Sequence, residues 1–277
     1  MKKWNFYFEI LKKYGEWNKL SKYLRKYDKN NIPKVEDIWN IMDQIWDDMQ
    51  LNNKEYNKER LKKYYSHPVW LLNGLFVEND EISKKHRESI AKYFKNKNNL
   101  RILDYGGGTG ALAKEIVKAN PVNIVDIYEP HASEFAYKNI ENYKNIKIKD
   151  KVKKNFYDVI VNTDVLEHVE YPIKLVGRYN ELLKINGILI SNWNFTPCIK
   201  CHLPRHFHYQ YTFSKIVSLL GFSKELNIDN YGSYFYKKKS VKKTNYILAF
   251  LYKIYSKILY NSKKIIKNCL KKMGFDL

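Results

Sequence analysis

Hydrophobic positions divide the chain into three textures. Up to about residue 95 they recur at helical spacing. In "IPKVEDIWNIMDQIWDDMQ" the apolar residues Ile38, Ile41, Met42, Ile45, Trp46 and Met49 form one face of a helix that starts near Pro33. "NDEISKKHRESIAKYF" opens another helix, with Asp80 or Ser83 as its cap. From residue 100 the pattern becomes short apolar runs separated by helical stretches: "LRILDY", "VNIVDIYE", "NIKIK", "YDVIVNT" and "GILISNW". Strands alternating with helices predict an α/β fold with a doubly wound parallel sheet, whose ligands bind at the carboxyl ends of the strands. Near residue 240 helical spacing returns, with Ile247, Leu251, Ile254, Ile258, Ile265 and Cys269 on a stripe and lysines over much of the remaining surface. The predicted organisation is a helical region or lid over 1–95, a core over 96–240 and a basic amphipathic tail over 241–277.

Composition narrows the class. A chain of 277 residues that is 44% hydrophobic and 16% aromatic can bury a large core. Three cysteines do not make a disulfide framework. The opening "MKKWNFYFEILKKYG" is interrupted by Asn5 and Glu9 and does not read as a signal peptide, and no run approaches the roughly 18 apolar residues of a membrane span. The expectation is a cytoplasmic protein, with peripheral contact at the inner membrane face left open. Lys and Arg total 50 against 29 Asp and Glu, a formal charge of +21. From Lys237 onward twelve lysines face one acid, Asp276. That tail suits an anionic membrane surface, or else packing on its own core or a partner subunit.

The chemistry starts at "RILDYGGGTGALAKEI". Asp104 ends a strand, Gly106, Gly108 and Gly110 follow, and a helix begins near Ala111. Such a loop brings backbone close to a ligand at a helix N-terminus. "GGGTGA" also satisfies the G-x-G-x-x-A dinucleotide pattern of an NAD-dependent oxidoreductase. Asp104 argues against that ligand, because it would repel a pyrophosphate and welcome a cationic amino-acid group. Glu129, at the end of the next strand, can accept hydrogen bonds from both ribose hydroxyls of either ligand.

With "YDVIVNTDVLEHV" and "ELLKINGILIS" following in order, the chain resembles the class I S-adenosylmethionine-dependent methyltransferases. The likeness is to the small-molecule branch that includes ubiquinone- and menaquinone-biosynthesis enzymes and enzymes of glycan and natural-product pathways. It runs from about residue 85 to about 235. It implies a Rossmann-like seven-stranded sheet, with "FSKELNI" and "SYFYKKK" as the last strands, and S-adenosyl-L-methionine as cofactor. It makes Asp104, Gly106, Gly108 and Gly110 the cofactor loop, Glu129 the ribose ligand and Asp150 a residue of the adenine region. Asn162, Thr163 and Asp164 would lie beside the methionine moiety. The implied reaction is methyl transfer to oxygen of a small-molecule, glycan or lipid-linked acceptor. The base-methylating signature Asn/Asp-Pro-Pro-aromatic is replaced by "NTDVLEH", so RNA methylation is the alternative and nucleic acid is not the expected partner.

A sulfonium needs little activation, so the enzyme must align a nucleophile, and a hydroxyl acceptor benefits from a general base. His168 in "DVLEHV", with Asp164 before it, is one candidate. "NWNFTPCIKCHLPRHFHYQYTFS" supplies Trp193 to the acceptor wall and His206 and His208 to catalysis, His208 standing closest to the "FS" helix start. In "YYSHPVWLLNGLF", Tyr65, His67, Trp70 and Asn73 are lid candidates. "CIKCH" matches the haem-attachment motif, and Cys198, Cys201 and His202 could instead hold zinc. The reading assigns no resident metal, with a metal-binding protein as a further alternative.

Overall fold

The computed structural model describes residues 1–53, 57–227, 233–238 and 245–272. Helices α1 (Trp4–Lys13), α2 (Trp17–Leu24), α3 (Val35–Asp48), α4 (Lys58–Tyr65) and α5 (Val69–Asn79) build a helical layer. The α3 face predicted from spacing is buried, with Ile38, Ile41, Met42, Ile45 and Trp46 all inside. Trp4, Tyr7, Leu20, Tyr64 and Leu72 pack on it. Asp80 caps α6 (Glu81–Lys92), its carboxylate accepting from the Ser83 amide at 2.8 Å.

Strands β1 (Arg101–Tyr105), β2 (Ile124–Tyr128), β3 (Ile146–Ile148), β4 (Tyr157–Asn162), β5 (Leu183–Ser191), β6 (Phe222–Asn227) and β7 (Tyr234–Lys238) form one sheet. Its order is β3-β2-β1-β4-β5-β7-β6. The first five strands run parallel, and β7 pairs antiparallel with β5 and β6. Helices α7 (Ala111–Ala119), α8 (Glu134–Ile140), α9 (Pro172–Leu182) and α10 (Phe213–Leu219) complete the wrap.

Alternation along the strands feeds both faces of the sheet. Ile102 and Val161 pack with Ile116 of α7 and Ile90 of α6, whereas Leu103 and Ile160 pack with Val176 of α9 and Ile216 of α10. By packing, α6 therefore belongs to the sheet, and the separate helical layer ends at Asn79, short of the expected residue 95.

The segment after β5 leaves the sheet layer. Ile199 and Cys201 are buried in the N-terminal helical cluster, and the Lys200 amide donates to Asp43 of α3 at 2.8 Å. A 3₁₀ turn, Pro204–Tyr211, then leads into α10. Helix α11 (Tyr246–Lys272) rests on that turn through the fully buried Ser256, which bonds His208, while the fully buried Ala249 joins the cluster that holds Phe213 and Ile216 of α10. The Cys269 side chain, Lys239, Lys242, Lys243 and residues 273–277 with Asp276 lie outside the described residues. No helix among the described residues is long and apolar enough to cross a membrane.

Candidate active site

The glycine loop turns because three of its residues adopt positive φ: Gly106 (79°), Gly108 (52°) and Gly110 (83°). Only glycine takes that region without strain. A Cβ at Gly107 would lie 2.6 Å from Oδ2 of Asp104, so the carboxylate and the loop backbone occupy adjoining space. A Cβ at Gly108 would meet nothing within 4 Å. That open position, over the N-terminus of α7, is the cradle.

Asp104 Oδ2 is buried and has no hydrogen-bond partner among the described residues. Burial, reinforced by the nearby Glu129 charge, pushes the Asp104 carboxyl up to about 7. A cation placed here would relieve both penalties, which suits the amino and sulfonium groups of S-adenosylmethionine and not a pyrophosphate. Glu129 follows β2 and accepts from the Gly108 amide at 3.2 Å and the His131 amide at 3.1 Å. The cradle residues thus fit the cofactor. Asn162 is fully buried and cross-links strand ends: it donates to the Tyr105 carbonyl and accepts from Ser191. Thr163 is half-buried beside it, and Asp150 is exposed two residues past β3.

A second group of residues gathers at the carboxyl end of β4. His168 packs edge-on to Trp70 (centroids 5.6 Å), Tyr65 (6.2 Å) and His202 (4.8 Å). The Tyr65 hydroxyl donates to the His168 carbonyl at 3.3 Å. Two of the lid candidates therefore meet a catalytic candidate, and the loop after β5 supplies a third wall through His202. Nδ1 of His168 faces the Cys201 carbonyl at 3.3 Å, and Nδ1 of His202 faces that of Thr196 at 2.9 Å. Each ring donates its Nδ1 proton there and keeps its Nε2 lone pair. Burial, with a smaller push from His202, takes His168 down to about 3, so its imidazole is neutral at physiological pH.

Glu167 is a member of this group that the sequence reading missed. Its signal was the acid beside the histidine in "DVLEHV". Its Oε1 accepts from the Asn194 amide at 2.9 Å, whereas its buried Oε2 has no partner among the described residues. Burial, then the charge of Asp164, raises it to about 8. Ligand atoms of Glu167, His168 and His202 lie within 4.8 Å of one another, a set that could hold a divalent ion once the Glu167 proton leaves.

The remaining candidates go elsewhere. His206 Nε2 donates to the Val169 carbonyl at 2.8 Å and its ring stacks on Tyr209. His208 is turned to α11: its Nδ1 lies 3.1 Å from the Ser256 hydroxyl, and it does not join the His168 group. Burial brings both down to about 4. His208 thus stands apart from the His168 group, its ring turned to α11. Asp164 is exposed in a left-handed conformation, its amide tied to Asn192. His67 accepts from the Val69 amide at the start of α5, and Asn73 is half-buried on that helix. Trp193 stacks on Tyr234 at 5.0 Å. The two cysteines do not converge: Cys198 Sγ lies 3.3 Å from His202 Nδ1, while Cys201 is buried in the N-terminal cluster. Neither joins the metal-competent group found among the described residues.

Comparison with known proteins agrees with the fold. Residues 79–223 match the methyltransferase domain family. The ubiquinone biosynthesis O-methyltransferase of Nitrosococcus oceani is 31% identical over 144 residues, covering 48% of this chain and 59% of that protein. The malonyl-[acyl-carrier protein] O-methyltransferase of Halalkalibacterium halodurans is 24% identical over 151 residues, covering 48% and 54%. The chain thus spans between half and two thirds of the length of these curated relatives. An O-methyltransferase family protein from Burkholderia thailandensis superimposes with a TM-score of 0.51 at 13% identity, covering 76% of this chain and 74% of that one. With its strand order, its glycine cradle and the family match over half its length, the chain belongs to the class I S-adenosylmethionine-dependent methyltransferases.

Proposed function

We propose that the protein methylates a hydroxyl oxygen of a small-molecule acceptor, free or carried on a glycan or lipid, with His168 as the proton acceptor. The observation that carries this reading is the placement of His168. Its neutral imidazole is oriented by the Cys201 carbonyl and walled by Tyr65, Trp70 and His202 at the carboxyl end of β4. The resemblance to curated O-methyltransferases supports oxygen as the acceptor atom.

The bound cofactor supplies an electrophilic methyl group on a positively charged sulfur. The chain's own residues do the rest. The Gly108 amide region and Glu129 hold the ribose end, and Asp104 offers its unpartnered oxygen to the cationic end. Tyr65 and Trp70 cover the acceptor side and keep water out. His168 takes the hydroxyl proton on Nε2, and Glu167, once ionised near pH 8, stabilises the imidazolium against the burial that otherwise disfavours it, as the aspartate of a Ser-His-Asp triad does.

The reading is tested by titrating the protein with S-adenosylhomocysteine, with NAD in parallel, and then by assaying methyl transfer from labelled S-adenosylmethionine to a panel of phenols, sugars and lipid-linked alcohols. Selective micromolar binding of S-adenosylhomocysteine and a methyl ether product are expected. A preference for NAD would overturn the cofactor assignment, and exclusively N- or C-methylated products would overturn the acceptor.

A further inference from the structure

Helix α11 carries an apolar stripe that points away from the protein. Its inner face is narrow: Ala249 and Ser256 are buried, with Tyr252 and Tyr260 partly covered. Ile258 lies two residues beyond Ser256, about 200° around the helix. The stripe at Ile247, Leu251, Ile254, Ile258 and Ile265 consequently faces solvent, with Ile247 76%, Ile258 60% and Ile265 63% exposed. Phe250 and Ile266 widen it. Every residue from 261 to 268 is exposed, so the last turns project beyond the core. Contiguous apolar surface of this kind marks a contact surface.

The charge on the same helix identifies what covers it. Tyr246–Lys272 contains no Asp or Glu. Lys257, Lys263, Lys264, Lys267 and Lys271 are all exposed, and Lys263 stands 3.9 Å over the ring of Tyr211. An outward apolar stripe on a helix whose charged residues are all lysines is the pattern of a helix that lies in a bilayer interface. Pairing with a second copy would set two such lysine-rich helices side by side with no acid to neutralise them, whereas anionic headgroups complement them. We propose that α11 docks the protein on an anionic lipid surface, with Ile247, Leu251, Ile254, Ile258 and Ile265 entering the acyl boundary and the lysines meeting the headgroups. This surface is independent of the acceptor reading.

The test is co-sedimentation of the full chain with phosphatidylglycerol vesicles and with phosphatidylcholine vesicles, at low and high salt. Binding to the anionic vesicles, weakened by salt, is expected. The Ile258→Ser/Ile265→Ser variant should bind them at least about tenfold more weakly, and so should Lys264→Gln/Lys267→Gln/Lys271→Gln. Both sets lie on the exposed side, so thermal melts and S-adenosylhomocysteine affinity should match the parent. Equal binding by parent and variants, or none at low salt, would overturn the proposal. So would a dimer in sedimentation velocity that Ile258→Ser/Ile265→Ser dissociates, since a second copy would then cover the stripe.

Discussion

The hydroxyl of Ser256 donates to the carbonyl of His208 and faces that residue's Nδ1, so a helix near the chain's end is pinned to the turn before α10. Thr212 donates to the same hydroxyl at 2.6 Å. His208→Ala should therefore lower stability by about 1–3 kcal/mol, since it removes the ring's bond to Ser256 and leaves a cavity under α11 while the backbone bond stays, and it should spare turnover. His168→Ala should do the reverse, cutting kcat by roughly 10²–10⁴ with S-adenosylhomocysteine affinity within a few fold of the parent. Urea denaturation and single-turnover kinetics separate the two, and a kcat loss in His208→Ala matching that in His168→Ala would restore His208 to the site.

Glu167 gives the pH dependence. Its carboxyl is held up at about 8 by burial, so between roughly pH 4.5 and 8 the folded state keeps a proton that the unfolded state has lost. The Glu167 contribution to stability should fall as pH rises through that window and level off above it. It should be read as the difference between the parent and Glu167→Gln, which should shrink by up to about 1 kcal/mol over pH 7 to 8. The rate should move oppositely: kcat should rise as Glu167 ionises near pH 8, and Glu167→Gln should flatten that limb.

Asp104 predicts proton release on cofactor binding. Its carboxyl sits at about 7 because it is buried near Glu129, so at pH 6 it is mostly protonated. A bound sulfonium would hold it ionised. Calorimetry in buffers of different ionisation enthalpy should show close to one proton released with S-adenosylmethionine at pH 6 and little at pH 8. Asp104→Asn should release none and bind about tenfold or more weakly.

Gly107→Ala should disturb the cradle from below, since the new methyl would press on the Asp104 carboxylate. A loss of about 1–3 kcal/mol in stability, read by thermal melt, and weaker S-adenosylhomocysteine binding are expected. Gly108→Ala meets no protein atom, so its penalty should come from the positive φ and from the cofactor side.

The five parallel strands were legible because each is a short apolar run between turn signals, and the cradle because its glycines and acid are contiguous, whereas the more polar β6 and β7 were implied only by the family resemblance. What periodicity leaves open is direction. The stripe from Ile247 to Ile265 reads correctly as one helical face, yet nothing local says that the core contacts the small residues Ala249 and Ser256 opposite it. His208 has a suggestive distance from a helix start, but chain distance does not aim a ring. The nest around His168 joins residues about a hundred positions apart, so it becomes visible only when the helical layer docks.

That docking separates two jobs along the chain. The segment shared with relatives, 79–223, holds the cradle, β4 and His168, while Tyr65 and Trp70 lie outside it. On the proposed reading, donor binding and acceptor choice are written in different stretches, and Glu78 of α5 ties them, bonding Thr109 of the glycine loop and pairing with Lys114 of α7. A chimera that keeps the chain from Val69 onward and exchanges α1 to α4 should therefore retain S-adenosylhomocysteine binding while changing its acceptor.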